Sequence, residues 1–164
     1  MNNESYKVDP VGYIITPYIK GEEIPIQGTF DKDTVAHIEL LDKYVPGLKD
    51  LDGFSHAILI YRFDRADHFS LTGRPFLEDQ EHGIFATRSP FRPNHIGISV
   101  VKIEEIRDNK LFFSEADMLD NTPLLDIKPY VKYFDQRDNT IAGWVEKHFS
   151  DEKNIPVNRL KNKI

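Results

Sequence analysis

The alternation of apolar and polar positions along this 164-residue chain predicts several short strands. Residues 11–16 (VGYIIT) form a β-branched run that stops at Pro17, and residues 54–63 (FSHAILIYRF) are almost continuously apolar. A run of that kind is typical of a strand that is buried on both faces or forms the wall of a barrel. We therefore predict one strand in each segment.

A third strand is predicted over residues 96–106 (IGISVVKIEEI). Its apolar positions alternate up to Val100 and then shift to Val101 and Ile103. Such a change of parity indicates a β-bulge or a bend. The pair at 108–109 (DN) is a turn sequence that leads into LFFSEADML, so we predict a hairpin there.

Two segments carry a helical pattern. Residues 33–44 end before Pro46 and have apolar side chains at helical spacing, and residues 139–149 (NTIAGWVEKHF) could form a second, short helix. The apolar positions of the first helix are Val35, Ile38, Leu41 and Val45. Many strands and few helices predict a mainly β protein, either an antiparallel barrel or a sandwich.

Length and composition indicate one domain, residues 1–164, with a core over about residues 8–150 and a basic tail over residues 151–164. The chain has no cysteine, which excludes disulfides and thiolate metal sites and fits a reducing compartment. The first residues lack the apolar run of a signal peptide, and no segment resembles a membrane span. We expect a cytoplasmic protein without membrane contact.

The net charge of −6 argues against nonspecific coating of nucleic acid. Residues 82–103, however, contain no acid, while Arg88, Arg92 and Lys102 lie among them. This window is either a local positive surface or partly a buried strand. The basic tail is either a solvated end or an electrostatic arm for RNA.

Several common site signatures are missing from the sequence. The glycines form neither a dinucleotide-binding fingerprint nor a phosphate-binding P-loop, which argues against a Rossmann fold. The six histidines show no close ligand pairing, so we predict no metal site. The long polar segment at residues 64–81 has the length of a functional loop.

Residues 87–99 (TRSPFRPNHIGIS) combine cationic side chains with a stiff backbone. Pro90 and Pro93 fix their own φ angles and keep the preceding residues extended. Arg88 and Arg92 therefore lose little freedom on binding, which suits capture of a carboxylate or a phosphate. The alternative is that both arginines form structural salt bridges on a surface loop.

A second cluster lies in residues 117–130 (DMLDNTPLLDIKPY), where a turn sequence precedes a strand. Asp126 and Lys128 share one face of this strand, so they could simply pair with each other. Alternatively, the carboxylates of Asp117, Asp120 and Asp126 could bind a small polar ligand.

These two stretches, GIFATRSPFRPNHIGIS and DNTPLLDIKPY, are similar to the signatures of the TrmO (YaeB or TsaA-like) tRNA methyltransferases. Weaker similarity covers most of the chain from about residue 11 to residue 130. His95 replaces a usual proline, and Asn121 replaces a usual glycine. Asparagine tolerates a positive φ, so we expect the turn to be kept.

The resemblance implies a small antiparallel or mixed β-barrel of the TsaA/YaeB type, with one or two short helices, that binds S-adenosylmethionine and works as a homodimer. It also implies that the substrate is tRNA, methylated on the exocyclic amine of threonylcarbamoyl-adenosine beside the anticodon. By position, the implied cofactor contacts are Gln27, Gly28, Asp64, Arg65, Arg88, Ile98, Met118, Leu119, Asp120 and Asn121.

The roles of further residues are hypotheses drawn from the chemistry of methyl transfer. The donor sulfonium is a cation, so the arginines suit the cofactor carboxylate or RNA phosphates, and we assign Arg92 and Lys128 to the substrate. Asp126 or a water molecule is the candidate proton acceptor, and Asn94 or Tyr130 could orient the base. The alternative function is a barrel that binds the cofactor or single-stranded RNA without catalysis.

Overall fold

Six strands close into an antiparallel barrel in the computed structural model, which describes residues 4–149. The strands are β1 (Gly12–Ile15), β2 (Ala36–Leu40), β3 (His56–Arg62), β4 (Thr72–Gly73), β5 (His82–Gly83), β6 (Ile96–Arg107), β7 (Lys110–Ser114) and β8 (Thr122–Pro129). The helices are α1 (Lys132–Asp135) and α2 (Glu146–Phe149). The barrel order is β1-β2-β7-β6-β3-β8, and β8 pairs with β1 to close it, while β4 and β5 form a separate ribbon. The predicted antiparallel barrel is confirmed.

Alternating side chains fill the barrel. Ile14, Ile38, Leu59, Phe113 and Leu124 are fully buried, and each comes from a different strand. A small barrel has no room for a pore, so these inward side chains form its core.

Antiparallel pairing collects three long connections at one end of the barrel. Residues 16–35 follow β1, residues 63–95 follow β3, and residues 115–121 follow β7, and all three strands run toward the same end. We call it the loop end. The strongest sequence motifs lie in these three connections, so the fold brings them together.

The helix predicted over residues 33–44 is wrong. Strand β2 occupies its centre, with Ala36, Ile38 and Leu40 buried. Val35 and Leu41, which a helix would have buried, are 58% and 40% exposed. Over so few residues a pattern with period two also fits a helix, and pairing with β1 and β7 decides the outcome.

Other local predictions are confirmed. Strands β6 and β7 form a hairpin around residues 108–109, and their register shifts between Ile103 and Glu105. The change of parity at Val100 and Val101 lies before that bulge, on a regular part of β6, where the apolar side chains pass from the outward to the inward positions. The segment at 139–149 is helical only from Gly143 onward, first as a 3₁₀ turn and then as α2. The tail at residues 151–164 lies outside the described residues.

The apolar stripe of β6 faces outward. Ile96, Ile98 and Val100 are 46%, 55% and 41% exposed, because Gly97, Ser99 and Val101 take the inward positions. Ile58 and Ile60 of β3 lie directly opposite Val100 and Ile98. We call this aliphatic face the outer wall. Within residues 4–149, no helix has the length and apolar character required to cross a bilayer.

Candidate functional site

A hydrogen-bonded chain ends on the carboxylate of Asp117 at the loop end. Ser99 donates its hydroxyl to Asp117 Oδ1 at 2.5 Å, and the buried Tyr61 hydroxyl lies 3.1 Å from Ser99 Oγ. Because the Ser99 proton is used on Asp117, the Tyr61 hydroxyl donates to Ser99. The backbone N–H of Gly28 donates to Asp117 Oδ2 at 3.3 Å. Asp117 thus links strands β3 and β6 to residues 27–28.

Burial raises the pKa of Asp117 from 3.8 to about 6. The hydrogen bonds from Ser99 and Gly28 and the positive charge of Arg88 lower the pKa, but they do not offset the burial. Burial and the negative charge of Asp117 also raise the pKa of Tyr61 above its ordinary value. Near neutral pH the site therefore holds an ionised carboxylate in an unfavourable environment.

Arg88 approaches this carboxylate from the loop that carries the TRSPFRPN motif. Its Nη1 donates to Gln27 Oε1 at 2.6 Å, and Gln27 immediately precedes the buried Gly28. Arg88 itself is exposed to solvent. The structure therefore brings together three of the predicted cofactor contacts, from two connections that are about sixty residues apart in sequence.

Asp120 anchors the third connection. Its Oδ1 accepts the N–H of Thr16 at 3.1 Å, and its own N–H donates to the carbonyl of Tyr18 at 2.8 Å. Arg65 donates to the Asp120 carbonyl at 2.6 Å. Asn121 then turns the chain into β8 with a φ of 58°, which confirms the expected positive φ. Asp120 and Asn121 shape the backbone here, and Arg65 is held beside them.

Gly28 has no room for a side chain. A Cβ at this position would lie 1.7 Å from the carbonyl oxygen of Glu115, a backbone atom that cannot rotate away. Glu115 itself has a φ of 67° and is followed by the buried Ala116 and by Asp117. The close approach of these two backbones is what places the Gly28 N–H on Asp117.

The C-terminal segment at residues 143–149 packs against the same end. Trp144 donates its indole N–H to the Ala86 carbonyl at 2.8 Å and stacks on His82 at a ring distance of 4.7 Å. Glu78, whose side chain is 8% exposed, contacts Lys147, His82 and His148. These cationic and hydrogen-bonding partners, Lys147 first, lower the pKa of Glu78 to about 2.

The backbone at Asn94 and His95 has positive φ angles, which a proline at position 95 could not adopt. Asn94 and His95 have φ values of 66° and 54°, and a proline is fixed near −65°. His95 Nδ1 lies 3.2 Å from the Pro90 carbonyl, which can only accept a hydrogen bond, so the imidazole donates to it. Arg92 donates to the Thr87 carbonyl at 3.2 Å. Histidine thus closes the loop through its side chain.

Four of the predicted site residues are not brought to the Asp117 carboxylate. Ile98 and Asp126 lie on the outer wall, since both pair with Ile60, and Asp126 forms an ion pair with Lys128 at 2.7 Å. Tyr130 follows β8 at the opposite end of the barrel and donates its N–H to His56. It lies roughly 25 Å or more along the strand from Asn121.

The other predicted residues occupy the loop end. Asp64 is exposed just after β3, Met118 is buried, and Leu119 accepts the Thr122 hydroxyl with its carbonyl. Sequence reasoning did not single out Ser99 or Tyr61, which sit on strands and look like ordinary barrel residues. Within residues 4–149, no group of three or more His, Asp or Glu side chains is arranged to hold a metal ion.

The protein is therefore a small antiparallel β-barrel with a site at one end. Three long connections converge there on a buried carboxylate and an exposed arginine. A family model for the tRNA-methyltransferase O N-terminal domain matches residues 13–136. The match covers most of the chain, so the protein belongs to this family. The TrmO resemblance noted in the sequence is confirmed.

Individual relatives agree with this assignment. A probable S-adenosyl-L-methionine-binding protein of Pyrococcus abyssi is 48% identical over 139 residues, which are 85% of this chain and 76% of the relative. The human tRNA (adenine(37)-N6)-methyltransferase is 28% identical over 155 residues, covering 90% of this chain and 35% of the relative. The crystal structure of TrmO from Pseudomonas aeruginosa superposes with a TM-score of 0.74 at 35% identity. That alignment covers 86% of this chain and 63% of the crystallised one, so the chain spans less than two thirds of that relative.

Proposed function

We propose that this protein is an S-adenosylmethionine-dependent methyltransferase that acts on the exocyclic amine of an adenosine in tRNA. The observation that carries the proposal is the hydrogen bond of Arg88 to Gln27 beside Gly28, whose N–H binds the Asp117 carboxylate, in the barrel of this family. We further propose that the acceptor is threonylcarbamoyl-adenosine beside the anticodon. The cytoplasmic location expected from the sequence stays a prediction.

The residues at the loop end fit S-adenosylmethionine. Its methionine part carries a carboxylate, which suits the exposed guanidinium of Arg88, and its sulfonium suits a site with an ionised carboxylate and several carbonyls. When bound, the cofactor supplies an electrophilic methyl group. The hydrogen bond to Gln27 keeps Arg88 in place, and the backbone at Met118–Asn121 offers polar groups for the nucleoside. Arg65 donates to that backbone at Asp120, and Asp64 precedes Arg65 in the sequence.

The acceptor amine shares its electron pair with the adenine ring, so alignment matters more than a strong base. Asp126 is our candidate for accepting the proton, and Asn94 or Tyr130 for orienting the base. Arg92 and Lys128 are our candidates for contacts with the RNA backbone. In the structure Asp126 pairs with Lys128, so RNA binding to Lys128 would release the carboxylate.

We propose a homodimer that forms through the outer wall. Ile96, Ile98 and Val100 are exposed on this aliphatic face, with Ile58 and Ile60 partly buried beside them, and such faces mark protein contacts. Ile98, Asp126 and Tyr130 lie on or beside this face and away from the Asp117 carboxylate of their own barrel. Their proposed roles therefore require that a second copy present them to the loop end.

Two measurements test these proposals. Purified protein is incubated with methyl-labelled S-adenosylmethionine and with tRNA that has or lacks the threonylcarbamoyl group. Transfer only to the modified RNA is the expected result. Cofactor binding without transfer to either RNA would instead support a binding protein, as the name of the Pyrococcus relative suggests.

Mixing of two variants tests the shared site. Arg88→Ala and Asp126→Ala proteins are expected to be inactive alone and to recover part of the activity when they are mixed, because some mixed dimers hold one intact site. Ile98→Asp is expected to give monomers in sedimentation. Recovery that fails although mixed dimers form would place both residues in the same barrel's site and overturn the arrangement.

A further inference from the structure

The loop at residues 63–95 exposes several aromatic side chains beside the cofactor candidates. Phe85, Phe69 and Phe91 are 76%, 60% and 40% exposed. The Ser70 N–H donates to the Phe91 carbonyl at 3.1 Å, and the Ile84 N–H donates to the Leu71 carbonyl at 2.9 Å. These bonds hold residues 68–71 and 84–91 side by side. We call Phe69, Phe85 and Phe91, together with His68, the aromatic surface.

The aromatic surface is held on a defined backbone. His68 stacks on Phe91 with ring centres 4.6 Å apart and planes 18° from parallel, and its Nδ1 is 2.7 Å from an Asp67 carboxylate oxygen. The Thr87 hydroxyl donates to the Ile84 carbonyl, which fixes the turn that carries Phe85. The rings therefore lose little conformational entropy when a ligand stacks on them.

The charge around the aromatic surface favours an anionic ligand. Arg88 and Arg92 flank Phe91, and residues 82–103 contain no Asp or Glu. Among the acidic side chains on the rest of the loop, Asp67 contacts His68, and Glu81 accepts the Thr72 hydroxyl. Glu78 is bound by Lys147 and two histidines. The loop thus combines flat apolar rings with cations.

We propose that the aromatic surface binds unpaired nucleotides of the substrate RNA, with bases stacked on Phe85 and Phe91 and a phosphate near Arg92. Ring faces accept any base, and arginines supply the backbone contacts that unpaired RNA requires. The outer wall is aliphatic instead and suits a protein contact. The proposal rests on the proposed function in that it takes the ligand to be the methyl acceptor RNA.

The test uses binding rather than turnover. An anticodon stem-loop RNA with 2-aminopurine in its loop is titrated with protein in the presence of S-adenosylhomocysteine, and both affinity and fluorescence are measured. Phe85→Leu and Phe91→Leu keep the apolar volume but remove the stacking ring. Each is expected to bind about tenfold more weakly and to lose the quenching of 2-aminopurine. The matched control is Phe134→Leu, a 69% exposed ring beyond the opposite end of β8.

The salt dependence separates base contacts from phosphate contacts. Loss of a stacked base leaves the slope of log affinity against log salt unchanged, because no phosphate contact is lost. Wild-type affinity and quenching in both leucine variants would overturn the proposal, as would a change in their oligomeric state in sedimentation. If no RNA is methylated but the variants still lose quenching, the proposed function fails while the aromatic surface remains an RNA site.

Discussion

Replacement of Asp117 by asparagine should make the stability of the protein less sensitive to pH. Burial raises the pKa of this carboxyl group from 3.8 to about 6 in the folded state. Between these two values the folded state holds more protons than the unfolded state, so the free energy of unfolding falls as the pH rises. The whole difference corresponds to about 3 kcal/mol. It is lost progressively until the pH exceeds the folded pKa.

The asparagine variant has no titrating group at this position, so its free energy of unfolding does not fall with rising pH for this reason. Its free energy of unfolding relative to the wild type is therefore expected to rise by about 2.4 kcal/mol between about pH 4 and about pH 7.5. At any single pH the offset also contains the hydrogen bonds that the amide cannot reproduce, because one of its two polar atoms is a donor facing Ser99 or Gly28. Only the change with pH isolates the carboxylate.

Urea unfolding, followed by far-ultraviolet circular dichroism at several pH values, measures this change. The control is Asp52→Asn, which makes the same change from carboxyl to amide at an exposed position in the 3₁₀ turn at Leu51–Gly53. A flat difference for Asp117 would mean that Ser99, Gly28 and Arg88 already stabilise the carboxylate. A difference of the opposite sign would mean that these partners outweigh the burial, and either result would refute the reasoning.

Two further predictions concern the loop end. Gly28→Ala should abolish cofactor binding in calorimetry and lower the free energy of unfolding by about 1–3 kcal/mol, because the new Cβ collides with backbone; Gly47→Ala, with open space around its Cα, is the control and should change neither. Glu78→Gln should shift the emission of Trp144, the single tryptophan of the sequence, to longer wavelength as residues 143–149 lose their common anion. Glu81→Gln is its control, and an unchanged spectrum in the Glu78 variant would show that stacking alone holds the segment.

The sequence predicted the barrel better than it predicted the second strand. Strands β3 and β6 are long apolar or alternating segments, so both could be predicted from local sequence, although the bulge between Ile103 and Glu105 lies beyond the change of parity at Val100 and Val101. Strand β2 is five residues long, and the flanking Val35 and Leu41, together with Ile38, have the spacing of one face of a helix. Local patterns cannot resolve such a case, because the partner strands that decide it are distant in sequence.

Some residues of the candidate site could also be predicted from the sequence, whereas the environment of Asp117 depends on contacts that form only on folding. The family resemblance implied Arg88 within one of the two motifs and Gln27 and Gly28 within the weaker similarity outside them, and the structure brings all three together. Asp117 was noted only as one of three neighbouring carboxylates, since nothing in its local sequence separates it from Asp120 and Asp126. The three carboxylates differ only in the folded protein. Asp117 is buried and accepts hydrogen bonds from Ser99 and Gly28. Asp120 accepts the N–H of Thr16, and Asp126 forms an ion pair with Lys128 on the outer wall.

That difference in environment also bears on why an unfavourable carboxylate is kept. A buried acid with a pKa of about 6 weakens the fold at neutral pH, and the chain could avoid the loss with an uncharged residue. Proteins retain such groups where binding or catalysis uses them, and the loss is recovered when a ligand supplies the missing partner. A cationic sulfonium is a partner of that kind. The instability of Asp117 in the free protein and the proposed binding of S-adenosylmethionine are then two consequences of the same buried charge.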